Sequence, residues 1–235
     1  MNIEDLGHNI LSALDEGLVQ ALYRLASVEP DDVLARLSSA DSPLRTIEAV
    51  AGLPVEVLDP IASRYIKEAR RSAAMSGASL GFGGWVGVPP GLLHLVVLIV
   101  RLAQRLAVTY GVDFRTSRGE LELWKALAHG VGANVDWEGT ETELLRRLPV
   151  VVTGTGALTN PLLVKAAQAV LMRVAVTAGT RVTRFVPVVG AGSGAVLNYL
   201  EVHRVGRRLK ETWRARHAIA GFNPSDAVVV EILQG

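Results

Sequence analysis

A long uncharged stretch that opens with glycines constrains the fold of this chain more than any other feature. Residues 77–111 read GASLGFGGWVGVPPGLLHLVVLIVRLAQRLAVTYG, and residues 79–100 carry no charge. The length approaches that of a membrane-spanning helix, but Pro89 and Pro90 interrupt the first half and His94 places a polar group in the second. The sequence therefore favours a helical hairpin over a transmembrane span, with the other helices packed around it.

Composition favours a core of small and aliphatic side chains. Hydrophobic residues make up 49% of the 235 residues and aromatic residues only 5%, so the core must come from Leu, Val and Ala. There is no cysteine, which excludes a disulfide framework and thiolate metal sites. The N-terminal sequence lacks the basic and apolar regions of a secretory signal, so a cytoplasmic location is expected.

Apolar residues at three- and four-residue spacing, with helix start and stop signals, predict an all-α fold. The predicted helices cover residues 3–26, begin at Pro30, Asp41 and Asp59, run from Pro90 to Tyr110, follow a capping box at Ser117 and Glu120, and extend from about Pro187 to His217. Two glycine-rich apolar hairpins, residues 77–110 and 150–200, are expected at the centre of a single domain. Residues 1–54 are predicted to pack as amphipathic helices on a core domain of residues 55–235.

Two pairs of glycines mark predicted helix contacts. Gly77 and Gly81 precede the apolar helix, and Gly190 and Gly194 lie where the last long helix begins. Small residues four positions apart let two helix backbones approach closely. We therefore expect all four glycines at helix–helix interfaces.

The glycine-rich stretches also imitate nucleotide-binding loops. Gly190, Gly192 and Ala195 follow an apolar run with the spacing that brings backbone amides to a pyrophosphate. A dinucleotide site needs several parallel strands beside it, which the sequence does not predict, and Pro187 interrupts the presumed strand. The five histidines do not stand at metal-ligand spacing. We predict no cofactor, no metal site and no catalytic residues.

Four polar side chains on the predicted apolar helices are candidate ligand contacts. His94, Arg101 and Arg105 lie within about 40° of one another around their helix, where they could hold a carboxylate or a phosphate. The alternative that we favour is that they form the solvated face of that helix. Asn198 falls on the apolar stripe of the last helix with Val202, and a buried amide must find hydrogen-bond partners.

The C-terminal third of the chain is basic. Residues 146–235 carry 12 Lys/Arg against 4 Asp/Glu, whereas residues 1–145 carry 12 against 19. The basic part can face anionic lipid, nucleic acid, or the acidic part of the same chain. No recognised module or interleaved aromatic residues favour nucleic acid, so that partner is not expected.

One basic amphipathic helix within this part is the candidate membrane surface. Its candidate contacts are Arg204, Arg207, Arg208, Lys210 and Trp213. A basic helix with one tryptophan suits an anionic membrane surface. The same pattern fits equally a surface helix of a compact domain, with Trp213 in the core.

Two blocks of motifs resemble the EcsC protein family. The first block consists of Gly77, Gly81, Gly84, Arg101, Tyr110, Gly111 and Asp113, and the second of Pro187 to Ala191, Gly194, Ala195, Asn198, Arg204, Val205 and Gly206. Their order and spacing over residues 55–215 carry the resemblance. It implies a bacterial, helical protein whose namesake is encoded beside the components of an ABC transporter, and it implies no catalytic residues.

These features together predict a non-enzymatic protein that associates peripherally with the bacterial inner membrane, or with a membrane protein complex such as an ABC transporter. The alternative is an enzyme, or a module that binds a lipid or an anionic small molecule. Its pocket would lie near His94, Arg101, Arg105 and Asn198. That alternative requires the four side chains to converge on one cavity.

Overall fold

Every regular element in the described part of the chain is a helix. The computed structural model describes residues 16–38, 44–81, 88–135, 137, 164–174, 177 and 190–221. Its main α-helices are α1 (Glu16–Ala26), α2 (Pro30–Leu37), α3 (Val55–Gly81), α4 (Val88–Thr109), α5 (Ser117–Val131) and α6 (Gly190–Gly221). A 3-10 helix spans Glu48–Gly52, and residues 164–174 are also helical. The all-α prediction is confirmed.

An antiparallel pair of helices, α3 and α6, forms the most extensive helix contact among the described residues. Near one end of the pair, Asp59 Oδ2 lies 3.6 Å from Arg214 Nε. Further along, Arg70 Nη1 lies 2.9 Å from His203 Nδ1. Residue numbers rise along α3 while they fall along α6, so the two helices run in opposite directions. Helix α4 packs against both of them.

Helix α4 is the centre of the core, because α1, α2, α3, α5 and α6 all pack against it. Leu95, Ile99, Leu102 and Leu106 recur along it at helical spacing and are buried. Its apolar character therefore serves burial within the protein. Among the described residues, none of the helices combines the length and the apolar character needed to cross a membrane.

The two ends of α4 lie where the sequence signals predict them. Pro89 and Pro90 fall in its first turn, where the missing N–H groups have no intrahelical acceptor to lose. The helix stops at Thr109, and Gly111 follows with a φ of 81°. A left-handed backbone of this kind favours glycine, so the predicted stop signal has a physical cause.

Two helix starts differ from the prediction. Helix α3 begins at Val55 instead of Asp59, so Pro60 lies inside it. Leu58 is completely buried, and its packing holds the additional turn despite the backbone hydrogen bond that a proline removes. The predicted third helix is present only as the 3-10 helix at its end, and its predicted start lies outside the described residues.

The predicted glycine pairs both lie in the main helix pair, one in the last turns of α3 and the other in the first turns of α6. That these four glycines lie at helix–helix contacts stays a prediction. Helices do come close together at Gly206 of α6. The sequence analysis did not select this glycine as a packing residue. A Cβ atom at Gly206 would lie 3.1 Å from Ile66 of α3 and 3.2 Å from Leu102 of α4. Three helices therefore meet at this glycine.

Candidate functional site

Two of the predicted anion contacts on α4 have different surroundings. His94 is exposed. Arg101 is partly buried, and its guanidinium donates a hydrogen bond to the main-chain carbonyl of Leu25 at the end of α1. Arg101 therefore fastens α1 onto α4, and its described contact is with the protein itself.

The third of these residues, Arg105, belongs to a network between helices. Its guanidinium carbon lies 5.2 Å from the centre of the Tyr65 ring, and that of Arg36 lies 5.3 Å from the same ring. Glu68 Oε2 lies 3.9 Å from Arg105, and Glu68 Oε1 lies 3.2 Å from Arg36. These cation–π and ionic contacts join α2, α3 and α4. An anion approaching Arg105 would have to compete with Glu68.

Asn198 is only partly buried, whereas the sequence analysis expected a buried amide. The helix phase behind that prediction is correct, because Val202, Val205 and Leu209 are all completely buried. Asn198 lies at the outer end of this stripe, where the packing is less complete. The described contacts do not bring it together with the three basic residues of α4.

Three of the five candidate membrane residues contact the protein itself. Lys210 Nζ lies 3.4 Å from Asp59 Oδ2, and Arg208 donates to the main-chain carbonyl of Gly130 at 3.4 Å. Trp213 is 1% exposed, so its assignment to a membrane surface is wrong. The alternative that places it in the core is correct, because Trp213 continues the buried stripe of α6.

The charge asymmetry of the chain is thus partly satisfied within the fold. Arg214 shares Asp59 with Lys210, and Arg216 Nε donates to Glu122 Oε2 at 2.7 Å. These pairs join the basic helix α6 to acidic residues of α3 and α5. By contrast, Arg204 and Arg207 are exposed and pair only with glutamates of their own helix in the described part of the fold.

Among the described residues, the polar cluster at Asp59 comes nearest to a catalytic arrangement. Ser63 Oγ lies 3.0 Å from Lys210 Nζ, a geometry compatible with a nucleophile and its base. However, Lys210 Nζ also forms an ion pair with Asp59 Oδ2, and an ammonium has no lone pair with which to accept a proton. The Ser63 hydroxyl also donates to the Asp59 carbonyl at 2.8 Å. The cluster therefore holds helices together.

Two further contacts of this cluster tie down the end of α6. Tyr110 donates its hydroxyl to Asp59 Oδ1 at 2.7 Å. The ring of His217 is buried, with Nδ1 3.2 Å from the Tyr110 carbonyl oxygen and Nε2 3.0 Å from that of Leu53. Asp59 of α3 is consequently the common partner of three residues. Tyr110 follows the end of α4, and Lys210 and Arg214 lie on α6.

Replacing Asp59 should test this structural role. Asp59→Ala removes the acceptor of Tyr110 and the counter-charge of Lys210 and Arg214, so we expect a loss of about 1–3 kcal/mol in the free energy of unfolding. Asp59→Asn keeps an acceptor for the tyrosine and should lose less. Urea unfolding measures both. Glu211→Gln, which alters an exposed pair, is the control, and an equal loss there would contradict the role given to Asp59.

A second cluster of polar side chains lies in the core. The sequence analysis did not predict it. Tyr23 of α1, Gln104 of α4, and Glu120 and Trp124 of α5 are all buried. The rings of Tyr23 and Trp124 have centroids 5.8 Å apart. Burial raises the pKa of Tyr23 well above its ordinary value, Glu120 raises this pKa further, and Gln104 lowers it. The three helices therefore meet around a shared polar centre.

Several atoms of this centre lack hydrogen-bond partners among the described residues. They are Gln104 Nε2 and Oε1, Glu120 Oε1, and Trp124 Nε1. Gln104 is near enough to Tyr23 to affect its pKa, but neither atom of the amide completes a hydrogen bond. Burial raises the pKa of Glu120 to about 8, so this carboxyl is largely protonated at neutral pH.

The sequence signal at Glu120 pointed to a different role. Ser117 and Glu120 have the spacing of a capping box, but the cap of α5 is Thr116. The Thr116 hydroxyl oxygen accepts a hydrogen bond from the Gly119 amide at 3.0 Å. Because the cap lies one residue earlier than predicted, Glu120 is left to point into the core.

The described residues contain no cluster of three or more His, Cys, Asp or Glu side chains that could hold a metal ion. The fold and its polar clusters thus define a helical protein built on an antiparallel helix pair and tied together by ion pairs between helices. The chain belongs to the EcsC protein family, to which residues 5–217 match. No curated protein and no solved structure matches it.

Proposed function

We propose that this protein is a non-enzymatic module that associates peripherally with an anionic membrane surface. One observation carries the proposal, an exposed stripe of α6 that is apolar at its start and basic further on. Val196, Leu200, Arg204 and Arg207 follow one another at three- and four-residue spacing and are all exposed. An apolar patch beside basic side chains suits reversible binding to anionic lipid.

The electrostatics of the stripe support the same proposal. Arg204 Nη1 lies 3.5 Å from Glu201 Oε2, and Arg207 Nη2 lies 3.4 Å from Glu211 Oε1. Both members of the Arg207–Glu211 pair are exposed, and such a pair contributes about 0–1 kcal/mol, no more than the gain of about 1 kcal/mol for a basic side chain near an anionic surface. Arg207 can therefore exchange its glutamate for a lipid phosphate at little cost, whereas Arg204 pairs with the buried Glu201 and contributes an exposed guanidinium to the stripe.

The non-enzymatic part of the proposal has its own support. Among the described residues, the Ser63–Lys210 contact is the arrangement nearest to a catalytic pair, and Lys210 is engaged in an ion pair with Asp59. Arg105 and Arg101, which were candidates for binding a substrate anion, have contacts within the protein. These side chains are thus assigned to holding helices together.

Vesicle sedimentation tests the proposal. The wild-type protein should bind vesicles of phosphatidylcholine and phosphatidylglycerol at low salt and dissociate as the salt concentration rises. A double variant, Arg204→Gln with Arg207→Gln, should bind at least about tenfold more weakly, because it loses about 2 kcal/mol of attraction.

The control variant removes the same charge elsewhere. Arg64→Gln with Arg118→Gln also changes two exposed arginines that pair with a glutamate four residues on. It should bind vesicles nearly as well as the wild type. Equal losses in the two variants would mean that only net charge matters, and a wild-type protein that ignores these vesicles at low salt would refute the proposal.

A further inference from the structure

We infer that the protein docks end-on, with the uncharged end of the α3–α6 pair entering the interface of an anionic phospholipid bilayer and a belt of basic side chains at the level of the phosphates. This inference rests on the proposed function and adds to it the part of the molecule that meets the lipid. We call the inserting part the apex, and define it as residues 72–81 of α3 and 190–200 of α6.

The apex is both uncharged and partly apolar at its surface. Neither of its two segments contains a charged residue. Met75 is 75% exposed, Val196 56% and Leu200 47%, which places them among the most exposed large apolar side chains in the described part of the chain. Side chains of this kind gain free energy when they leave water for the acyl boundary of a bilayer.

The exposed apolar residues of the two helices lie at the same end of the pair. The contact between Arg70 and His203 fixes the relative position of α3 and α6. From that contact, Met75 lies about 7 Å further along α3, and Val196 about 10 Å further along α6 in the direction of its start. Because the helices are antiparallel, these two directions coincide. Met75 and Val196 therefore lie toward the same end of the pair.

A belt of basic side chains separates the apex from the rest of the pair. Its members are Arg70, Arg71, His203, Arg204 and Arg207. They occupy the first turns beyond the apex on each helix, at the depth where lipid phosphates would lie if the apex entered the interface. The apolar side chains of the apex match the acyl boundary of the bilayer, and the basic side chains of the belt match the phosphate layer next to it.

Arg70 adds to the belt a guanidinium that contacts an aromatic ring and a histidine. Its guanidinium carbon lies 4.8 Å from the centre of the Tyr199 ring, and Nη1 donates to His203 Nδ1 at 2.9 Å. Its Nε atom is buried without a hydrogen-bond partner, and no carboxylate pairs with it among the described residues. A guanidinium without a carboxylate partner has a charge that a lipid phosphate can complement.

The charges around His203 also favour binding of an anion at the belt. The pKa of His203 is lowered, first by burial and then by the charges of Arg70 and Arg207. His203 accepts the hydrogen bond from Arg70, which requires Nδ1 to be without a proton. Residues 70–71 and 201–207 carry four arginines against one carboxylate, Glu201, so a phosphate placed there would meet complementary charge.

Fluorescent labelling tests the orientation. The chain has no cysteine, so Met75→Cys and Ile219→Cys each provide one site for an environment-sensitive fluorophore. Met75 lies at the apex, and Ile219 is exposed at the opposite end of the pair. On vesicles of phosphatidylcholine and phosphatidylglycerol, the label at position 75 should shift to shorter wavelength and be quenched by brominated lipid. The label at position 219 should do neither.

A matched pair of triple variants tests the energetics. Met75→Gln, Val196→Gln and Leu200→Gln together should weaken vesicle binding at least tenfold. The control triple variant changes exposed apolar residues outside the apex, Leu25→Gln, Val57→Gln and Ile219→Gln, and should bind like the wild type. All six positions are exposed, and circular dichroism checks that both variants keep their helices.

The outcomes separate this inference from the proposed function. Wild-type binding with no shift at position 75, or with equal losses in the two triple variants, would overturn end-on docking and leave the proposed function intact. A wild-type protein that does not bind the anionic vesicles would overturn both. Binding accompanied by the label shift at position 75 alone, and lost only in the apex variant, is the result that we expect.

Discussion

Gly206→Leu is expected to lower the free energy of unfolding by about 3 kcal/mol or more, enough to remove much of the stability of an ordinary domain. Even a single Cβ at this position would lie 3.1 Å from the Ile66 side chain and 3.2 Å from that of Leu102, so both side chains would have to shift. A leucine adds three further carbons to the same space. The better helix propensity of leucine, about 1 kcal/mol, does not offset this overpacking.

Gly52→Leu is the matched control, because nothing lies within 4 Å of a Cβ built at that glycine. Its free energy of unfolding should stay within about 0.5 kcal/mol of the wild-type value. Urea unfolding followed by circular dichroism compares the two variants directly. A Gly206→Leu protein as stable as Gly52→Leu would show that the three helices do not meet at Gly206.

The sequence predicts helices best where hydrophobic periodicity agrees with start and stop signals. Helix α4 is the clearest case, since its buried stripe, its first-turn prolines and Gly111 all give the same bounds. The start of α3 was predicted less well. Asp59 and Pro60 form a valid start signal, but burial of Leu58 extends the helix in front of it. Tertiary packing of this kind is not visible in a local pattern.

Side-chain roles were harder to predict because their partners lie far away in the sequence. Asp59 meets Lys210, and Arg216 meets Glu122, and no local motif indicates either pair. The phase of α6 could be predicted, but not whether Trp213 would face the core or a membrane. The family resemblance was sufficient to indicate the family, since its motifs extend over most of the chain.

The polar centre around Glu120 shows how a local signal can locate a helix start correctly and still assign the wrong role to a residue. Thr116, Ser117 and Glu120 offer two alternative caps for the same helix. Their sequence spacing does not decide between them. Once Thr116 is the cap, Glu120 is buried next to Tyr23, and a residue expected at a solvated helix end becomes a titrating group in the core.

The effect of pH on stability should reveal this buried carboxyl. Burial raises the pKa of Glu120 from its ordinary value of 4.5 to about 8. The folded protein therefore keeps a proton that the unfolded chain releases once the pH passes about 4.5. The contribution of Glu120 to stability is complete below that pH. It should fall by about 1.4 kcal/mol per pH unit until about pH 8, where the folded carboxyl ionises as well.

Glu120→Gln should remove this dependence, because glutamine has nearly the shape of the protonated carboxyl and does not titrate. We expect the variant and the wild type to be equally stable near pH 4, and the variant to be about 3 kcal/mol more stable at pH 7. Urea unfolding at a series of pH values measures the difference. Other titrating groups are common to both proteins and cancel in this comparison.

Glu211→Gln provides the control, because Glu211 is exposed and its replacement should give a small difference that does not grow with pH. A difference between wild type and Glu120→Gln that stays constant from pH 5 to pH 7 would mean that the Glu120 carboxyl is solvated or paired in the folded protein. A variant less stable than the wild type at pH 7 would mean that the ionised carboxylate has a partner. Because Glu120 Oε1 has no hydrogen-bond partner among the described residues, we expect neither result.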